Sequence, residues 1–337
     1  MDNILAKLEQ AIAGQPKILI VMHNNPDPDT IASAQGLKTL FTTKWRRKVV
    51  IAYSGIIARP ENKAMVKSLK IGLVKLKTLD PADWPFVAVV DGQPGAGNIL
   101  LPEGATVGIV IDHHGRKRTC KGLSFVDIRP KYGSTSTIIT EYLIKAKIKP
   151  TKKLATALYY GIKTDTQNLG RDVTEADIKS SMFLYPQLLF KTLAKIEHPT
   201  LPRVFFVSMN QAITDMVIYG DAVICDLRDL EYPDVVSVTA DLFLQMENVR
   251  WTFSFGCFED RLFLSIRTNQ RRTSAGRVAQ IITHHQGSAG GHATIAGGAV
   301  DVKGMSDVKR EAFKAKLTER FLRAIKRETC KAEQLVK

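Results

Sequence analysis

The chain has 337 residues, a length typical of two domains of ordinary size. Its composition, 45% hydrophobic and 24% charged, excludes a largely disordered protein, and the absence of long apolar runs and of paired cysteines leads us to expect a cytoplasmic chain without membrane association. The formal net charge of +15 favours polyanionic partners such as RNA, DNA, nucleotides or acidic lipids, although basic residues can also serve solubility alone.

The first half of the sequence alternates apolar runs with segments of helical periodicity. The apolar runs, which are typical of parallel strands buried on both faces, cover residues 17–22, 49–53, 86–90 and 107–111. Helical periodicity follows over 31–40, over 154–162 and after the start signal at 133–136. This alternation predicts an α/β domain over residues 1–195, with a doubly wound and mainly parallel sheet.

Beyond about residue 186 the pattern changes. The dipeptides His198-Pro199 and Leu201-Pro202 indicate a junction over 196–220. A smaller α/β domain with a mixed sheet follows over 221–330. The strands that we predict there cover 222–226, 235–240, 251–255 and 262–266, and a turn near Glu259 joins the last two. Predicted helices over 274–285 and 307–327 flank a glycine-rich segment.

Acidic and imidazole side chains follow three of the predicted strands and one helix. Because ligands in doubly wound sheets bind outside the carboxyl ends of the strands, we expect these side chains to converge on one crevice. Oxygen and imidazole ligands without thiolates suit Mn²⁺, with Mg²⁺ or Co²⁺ as alternatives. The residues are His23, Asp27, Asp29, Asp91, Asp112, His113, His114 and Asp165.

Structural roles are open for some of these acids. Asp27 and Asp29 can serve Asx turns or helix capping, and Asp91 can be an N-cap. The triplet 112–114 favours function, because an acid and two adjacent imidazoles after a buried strand would pack poorly. Neighbours at a strand exit point in different directions, so one imidazole can bind metal while the other contacts substrate, and Asp112 can orient a ring.

Together these residues carry a family resemblance. The set His23-x3-Asp27-x-Asp29, Asp91, Asp112-His113-His114 and Asp165 resembles the four motifs of the DHH phosphoesterase superfamily. In the second half, Arg267, Gly290-Gly291-His292 and Ala296-Gly297-Gly298 resemble the DHHA1 substrate-binding domain. The order and spacing are most similar to the oligoribonuclease and pAp-phosphatase (NrnA-type) branch, and the resemblance covers nearly the whole chain.

The resemblance implies a role for each matching residue in the first half. His23 and Asp27 would hold one divalent ion, a second would be held by Asp29, His113 and Asp165, and Asp91 would bridge both. His114 would face the phosphate as a hydrogen-bond donor or general acid, and Asp112 would belong to the same catalytic group. Two such ions would activate a bridging water for attack on phosphorus.

The resemblance also implies a substrate site in the second half, formed by Arg267, Arg271, Gly290, Gly291 and His292. The glycines would let a phosphate approach backbone N–H groups, and the alternative for them is an ordinary turn. Two departures bear on substrate preference. Ser288-Ala289 stands where the family usually has glycine, and Gln167-Asn168 follows Asp165 where a glycine is common.

The resemblance implies a manganese-dependent enzyme that hydrolyses short RNA or DNA oligonucleotides to 5′-mononucleotides, with conversion of pAp to AMP as a further reaction. The same motifs would support a cyclic-di-AMP or pApA phosphodiesterase, or an exopolyphosphatase or pyrophosphatase. A catalytically silent nucleic-acid-binding protein is disfavoured, because every expected ligand position is filled. A homodimer is compatible with the sequence.

Overall fold

The structure is a computed structural model that describes residues 4–57, 59–115, 118–270, 273–284, 286–291 and 294–336. It divides into two compact units, Met1–Pro199 and Thr200–Lys337. None of the helices in these described ranges is both long enough and apolar enough to cross a bilayer.

The first unit contains a six-stranded parallel sheet in the order β3-β2-β1-β4-β5-β6. Its strands are β1 (Lys17–Val21), β2 (Lys48–Tyr53), β3 (Val74–Lys75), β4 (Phe86–Val90), β5 (Thr106–Asp112) and β6 (Phe125–Ile128). This order confirms the doubly wound prediction and creates a topological switch point between β1 and β4, where a ligand crevice is expected. All four apolar runs are strands, and the short edge strands β3 and β6 were not predicted.

Short 3-10 helices pack on one face of this sheet, and the α-helices of the unit pack on the other. These α-helices are α1 (Ile4–Ala11), α2 (Pro28–Trp45), α3 (Pro60–Leu69), α4 (Thr135–Lys145), α5 (Lys152–Asp165), α6 (Glu175–Leu184) and α7 (Phe190–Glu197). Alternate strand residues, such as Ile18 and Ile20 of β1, belong to the core beneath them. The intervening residues Leu19 and Val21 belong to a second core, which short 3-10 helices and loops cover.

Two glycines allow α2, α4 and α5 to approach closely. A Cβ atom on Gly36 of α2 would overlap the side chain of Ile139 in α4 and would contact Leu158 in α5. A Cβ atom on Gly161 of α5 would lie 2.5 Å from Ser136 Oγ and 3.1 Å from the Cα of Asp29. A glycine inside a helix costs about 1 kcal/mol relative to alanine, and here the close packing offsets that cost.

The second unit has a mixed seven-stranded sheet in the order β11-β12-β10-β9-β8-β7-β13, which confirms the prediction of a mixed sheet. The strands are β7 (Val217–Tyr219), β8 (Ala222–Asp229), β9 (Trp251–Phe258), β10 (Arg261–Thr268), β11 (Ser288–Gly291), β12 (Ile295–Asp301) and β13 (Ala332–Gln334). The helices are α8 (Arg203–Asp215), α9 (Asp234–Phe243), α10 (Ala275–Thr283) and α11 (Asp307–Ala324).

The predicted strand over 235–240 is wrong, because these residues lie within α9. Its valines and threonine suggested a strand by composition. The buried residues are nevertheless spaced as on one helical face, with Val235, Val236, Ala240 and Phe243 turned inward.

The boundary between the units falls inside the predicted junction. The chain divides after Pro199, and the segment that we expected to be a junction, 196–220, contains α8 and β7. These residues are ordered because α8 buries Phe205, Met209 and Ala212 at helical spacing. At the other end, β13 extends the second unit past residue 330 by pairing with β7.

Candidate metal centre

The structure brings all the predicted metal ligands to the carboxyl edge of the first sheet. The loop after β1, the residue after β4, the end of β5 and the end of α5 supply them. Three groups each have ligand atoms within 4.8 Å of one another: His23, Asp27 and Asp91; Asp29, His113 and Asp165; and Asp91, His113 and His114. The first two groups coincide with the two ion sites implied by the family resemblance.

Asp27 serves the fold and the cluster at the same time. It is the N-cap of α2, and its Oδ1 accepts a hydrogen bond of 3.0 Å from the backbone N–H of Thr30. Its other oxygen lies 3.6 Å from Nε2 of His23. The capping role and the ligand role are therefore compatible.

Asp29 is fully buried and faces the first turn of α4. Its two oxygens accept hydrogen bonds from the backbone N–H groups of Thr135, at 2.7 Å, and Ser136, at 2.8 Å. A helix N-terminus favours a negative charge at this position. Burial nevertheless raises the pKa of Asp29 well above its usual range, and the nearby Asp91 and Asp165 carboxylates add to this shift.

Asp91 occupies the centre of the cluster. Oδ2 lies 3.7 Å from Nε2 of His23, and Oδ1 lies 3.6 Å from Nε2 of His113, so its two oxygens face different ligand groups. The hydroxyl groups of Thr30 and Thr135 donate hydrogen bonds to it. Its backbone is left-handed, with φ of 53°, a conformation that few non-glycine residues adopt. No helix starts at Asp91 in the described residues, so the N-cap alternative is wrong.

In each of the two ion groups, the histidine forms a hydrogen bond to a backbone carbonyl through its ring nitrogen Nδ1. Nδ1 of His23 donates to the carbonyl of Asn24 at 2.9 Å, and Nδ1 of His113 donates to the carbonyl of Tyr132 at 3.1 Å. This assignment leaves Nε2 of each ring for the carboxylate cluster. Nε2 of His113 is buried and makes no hydrogen bond to the described residues. Such an arrangement is usual for histidines that bind metal, so the residues fit divalent cations.

The charges of the cluster support the same conclusion. Burial alone would favour neutral rings, yet the Asp27 carboxylate raises the pKa of His23 to about 10, and Asp165 and Asp91 raise the pKa of His113 to about 11. Burial raises the pKa of Asp165 to about 6. In the absence of metal the cluster therefore retains protons, and a divalent cation would release them on binding.

His114 differs from its neighbour. Its Nδ1 lies 2.7 Å from an oxygen of the buried Asp112, whose second oxygen accepts a hydrogen bond of 2.6 Å from Gln93. The side chain of His114 is 32% exposed, against 14% for His113. Burial opposes a charge on this ring, but the hydrogen bond to Asp112 raises its pKa above the usual range. The geometry is that of an oriented proton donor at the rim of the cluster.

Several supporting residues were not predicted from the sequence. Arg129 donates to Asp127 from Nε and, at 2.6 Å, from Nη2, and its Nη1 donates to Glu141 at 2.6 Å. Tyr132, whose carbonyl holds His113, donates its hydroxyl to Glu141. This network fixes the segment behind His113. No pattern marked these residues, because an ion pair across a strand and a helix depends on the three-dimensional fold.

In the second unit, Arg267 is committed to internal contacts. It is 4% exposed, and its guanidinium contacts Asp241 of α9, Ser265 Oγ at 2.6 Å and the carbonyl of Ala296 at 3.1 Å. The contact of Arg267 with substrate stays a prediction. The predicted substrate residues Arg271 and His292 lie outside the described residues.

Gly290 and Gly291 lie in strand β11 and not in a turn. A Cβ atom on Gly291 would overlap the carbonyl oxygen of Ile295, and one on Gly276 of α10 would lie 2.5 Å from the carbonyl oxygen of Gly291. Gly291 is therefore required for packing. A Cβ atom on Gly290 would have no atom within 4 Å, so its surface is open to a ligand.

Part of the first unit matches a known protein family. Residues 17–162 match the DHH family, N-terminal domain. An uncharacterized protein of Methanocaldococcus jannaschii is 34% identical over 311 residues, which cover 91% of this chain and 63% of that protein. The cyclic-di-AMP phosphodiesterase PdeA of Listeria monocytogenes is 25% identical over 308 residues, covering 85% and 45% respectively. The probable bifunctional oligoribonuclease and PAP phosphatase NrnA of Streptococcus mutans is 30% identical over 199 residues, covering 56% and 53%.

The chain thus spans between 45% and 63% of the length of these curated relatives. Among solved structures, an exopolyphosphatase-related protein from Bacteroides fragilis has a TM-score of 0.73 at 16% identity, over 96% of this chain and 98% of that one. RecJ in complex with Mn²⁺ from Thermus thermophilus has a TM-score of 0.53 at 14% identity, over 94% and 54%. These likenesses show a shared fold.

Proposed function

The first unit of this chain is a DHH-family domain, and from that premise we propose that the protein is a divalent-metal-dependent phosphoesterase that hydrolyses short oligonucleotides to 5′-mononucleotides. Conversion of pAp to AMP is a second reaction of the same site. The observation that carries this proposal is the position of Asp91, whose two oxygens face Nε2 of His23 and Nε2 of His113. Such a carboxylate can serve two cations at once.

Two ligand sets follow from this position. His23 and Asp27 would hold one cation with one oxygen of Asp91, and Asp29, His113 and Asp165 would hold the other with its second oxygen. When bound, two divalent cations make a water molecule more acidic and offset the negative charge of the phosphoryl oxygens. The oxygen and nitrogen ligands suit Mn²⁺.

His114 would act on the substrate itself. Asp112 holds Nδ1 of this ring, and Gln93 holds Asp112, so the ring is oriented before substrate arrives. As the P–O bond breaks, the ring would donate its Nε2 proton to the leaving oxygen and would regain a proton from solvent. Positioned proton donors contribute about 10²–10⁴-fold to a rate.

A cyclic-di-AMP or pApA phosphodiesterase is the second candidate. The similarity to PdeA, which extends over 85% of this chain, supports it. The two candidates share the metal site and the phosphodiester chemistry, and they differ in the shape of the substrate beyond the phosphate that is cut. Polyphosphate or pyrophosphate hydrolysis would need the same ligands without a nucleoside site.

A substrate panel tests the proposal. Protein stripped of metal by a chelator should be inactive, and Mn²⁺ should restore activity better than Mg²⁺ or Co²⁺. The restored enzyme should hydrolyse di- to pentanucleotide RNA and pAp faster than cyclic-di-AMP, pApA, polyphosphate or pyrophosphate. Full activity in chelator would refute the two-cation mechanism. A preference for one of the other substrates would replace the proposed function with that activity.

A further inference from the structure

The helices that carry the metal centre have a strongly basic surface at their other ends. α2 and α4 begin at the centre, where Asp29 of α2 accepts hydrogen bonds from the first turn of α4, and α5 ends there at Asp165. The opposite ends of these three helices therefore lie on the side of the unit that faces away from the centre. These are the C-terminal end of α2, the C-terminal end of α4 and the N-terminal end of α5.

The contact at Gly36 shows that the three helices pack against one another near their middles. Gly36 of α2 faces both Ile139 of α4 and Leu158 of α5. From this common level, Lys44 is eight residues along its helix, about 12 Å, and Lys145 and Lys152 are each six residues along theirs, about 9 Å. Packed helices lie about 8–10 Å apart, so the segments 44–48 and 145–153 form one surface.

We call this surface the basic edge. It contains nine basic residues, and its two segments contain no acidic residue: Lys44, Arg46, Arg47, Lys48, Lys145, Lys147, Lys149, Lys152 and Lys153. Eight of these side chains are exposed and Arg47 is half-buried. None forms an ion pair with another part of the chain that the structure describes. Surfaces that only maintain solubility usually intersperse both signs, so a field of one sign indicates a polyanionic ligand.

An aromatic side chain lies among these cations, since the half-buried Trp45 stands between Lys44 and Arg46. The ammonium of Lys44 lies 5.7 Å from the Trp45 ring, so charge and an aromatic surface occur together.

We propose that the basic edge binds the phosphate backbone of single-stranded nucleic acid. Cations interleaved with an aromatic ring are typical of surfaces that bind single strands without reading their sequence. An acidic membrane fits less well, because peripheral binding needs several exposed apolar side chains. Ile148 within the two segments is half-buried, and the exposed Ile144 lies just before the second segment.

The basic edge and the metal centre bind at separate places. α2 has 18 residues, so its two ends are about 27 Å apart. A strand held at the basic edge is therefore not the short substrate in the centre. The surface would retain the enzyme on longer nucleic acid, from which degradation releases the short fragments that the proposed activity consumes. Binding at this edge does not depend on that activity.

The test measures the binding of a fluorescent 24-nucleotide poly-U RNA to the full chain in chelator, so that no hydrolysis occurs. The triple variant Lys145→Glu, Lys149→Glu and Lys152→Glu should weaken binding at least tenfold. It should also reduce the slope of log K against log salt by about 2, since each single-strand phosphate contact contributes about 0.7. The matched control carries the same charge change at Lys303, Lys309 and Lys316 in the second unit and should lose less than threefold.

A second variant, Trp45→Leu, should weaken RNA binding several-fold while the salt slope stays unchanged. Unaltered affinity in the lysine variant, or equal losses in it and in its control, would overturn the proposal. Phosphatidylserine vesicles bound through the same lysines, without RNA binding, would identify an acidic lipid as the partner and would also overturn it. Hydrolysis of a dinucleotide with Mn²⁺ should stay within twofold in both triple variants. A chain that binds RNA in this way but cleaves no nucleotide would refute only the proposed function.

Discussion

The metal centre of the first unit is built from side chains, whereas the β11–β12 hairpin of the second unit presents mainly backbone. The centre consists of side chains from sequence-distant segments, and hydrogen bonds with neighbouring residues hold most of them. The hairpin presents mostly backbone, since β11 has the sequence SAGG. Clustered carboxylates repel one another and need hydrogen bonds to hold them together, whereas an open backbone needs only the absence of side chains. We therefore expect substitutions in the centre to affect chemistry and substitutions in the hairpin to affect packing or selection.

The largest effect should come from Asp91→Asn. Asparagine keeps the size of the side chain and tolerates the left-handed backbone, but it removes the charge shared by both ligand groups. We expect the rate of RNA hydrolysis with Mn²⁺ to fall at least about 100-fold, while circular dichroism shows a folded protein. Asp80→Asn, an exposed acid of the same unit, is the matched control and should retain full activity.

A loss of less than about tenfold, or about 1.4 kcal/mol of transition-state stabilisation, would mean that Asp91 does not bridge two cations. The contrast between the two units would then lose its main support.

The next prediction separates the two adjacent histidines. His114→Gln should lower kcat about 100-fold and leave the bound Mn²⁺ unchanged, because the ring acts on substrate. His113→Gln should lower the Mn²⁺ content itself, because Nε2 of His113 faces Asp91 and Asp165. Elemental analysis beside steady-state kinetics distinguishes the two. Equal metal loss in both variants would show that His114 is a ligand and not a proton donor.

The hairpin gives a smaller effect with a built-in control. Gly291→Ala should lower the free energy of unfolding by about 2 kcal/mol, because a methyl group would overlap Ile295. Gly290→Ala has room for its methyl group and should leave stability unchanged. If the hairpin contacts substrate, Gly290→Ala should reduce kcat/KM for dinucleotide RNA about tenfold and spare a small artificial phosphodiester. Equal losses on both substrates would assign the hairpin to the catalytic centre.

The smallest effect concerns pH and metal together. The pKa values of His23 and His113 are raised above that of a free imidazole, so the stability from their charged rings is complete below about pH 6.5 and is lost as pH rises toward 10. Asp165, with a pKa of about 6, acts in the same direction at lower pH. The metal-free protein should therefore become less stable from pH 6 to pH 9.

Thermal unfolding with and without Mn²⁺ at the two pH values tests this prediction. Mn²⁺ should raise the melting temperature by about 4 °C more at pH 9 than at pH 6. This difference corresponds to roughly 1–2 kcal/mol of additional stabilisation. A gain that is equal at both pH values would contradict the charge balance of the cluster. A variant such as Gly291→Ala, altered only in the second unit, should show the same dependence as the unaltered chain.

The comparison also shows what sequence can predict. The ligands of the centre followed from topology, because apolar runs locate strands and the residues after parallel strands must meet at one edge. Their supports, such as Thr135 and Gln93, could not be inferred, since a threonine or glutamine in a loop carries no periodic signal. Asp91 gave no sign of its left-handed backbone either.

In the second unit, composition led to one wrong element. The segment 235–240 was predicted as a strand from its β-branched residues, and the true helix α9 places Asp241 beside Arg267. Arg267 was identified as a substrate residue from the family resemblance alone, and its ion pair with Asp241 could not be inferred from that resemblance. Strands and helices can both contain β-branched residues, so the partners of such a segment follow only from the three-dimensional fold.

The glycines between the helices have a consequence for metal selectivity. Gly161 lies one turn before Asp165. It packs so closely against Asp29 and Ser136 that a Cβ atom at this position would overlap Ser136. The distance between the two carboxylates of the second ligand group is therefore determined by helix packing as well as by the ligands themselves. A methyl group at residue 161 would push α5 away from α2 and increase the distance between the carboxylates of Asp29 and Asp165. Mg²⁺ requires shorter and more regular coordination than larger divalent ions do. We therefore expect a methyl group at residue 161 to favour larger divalent ions at this site, without replacement of any ligand.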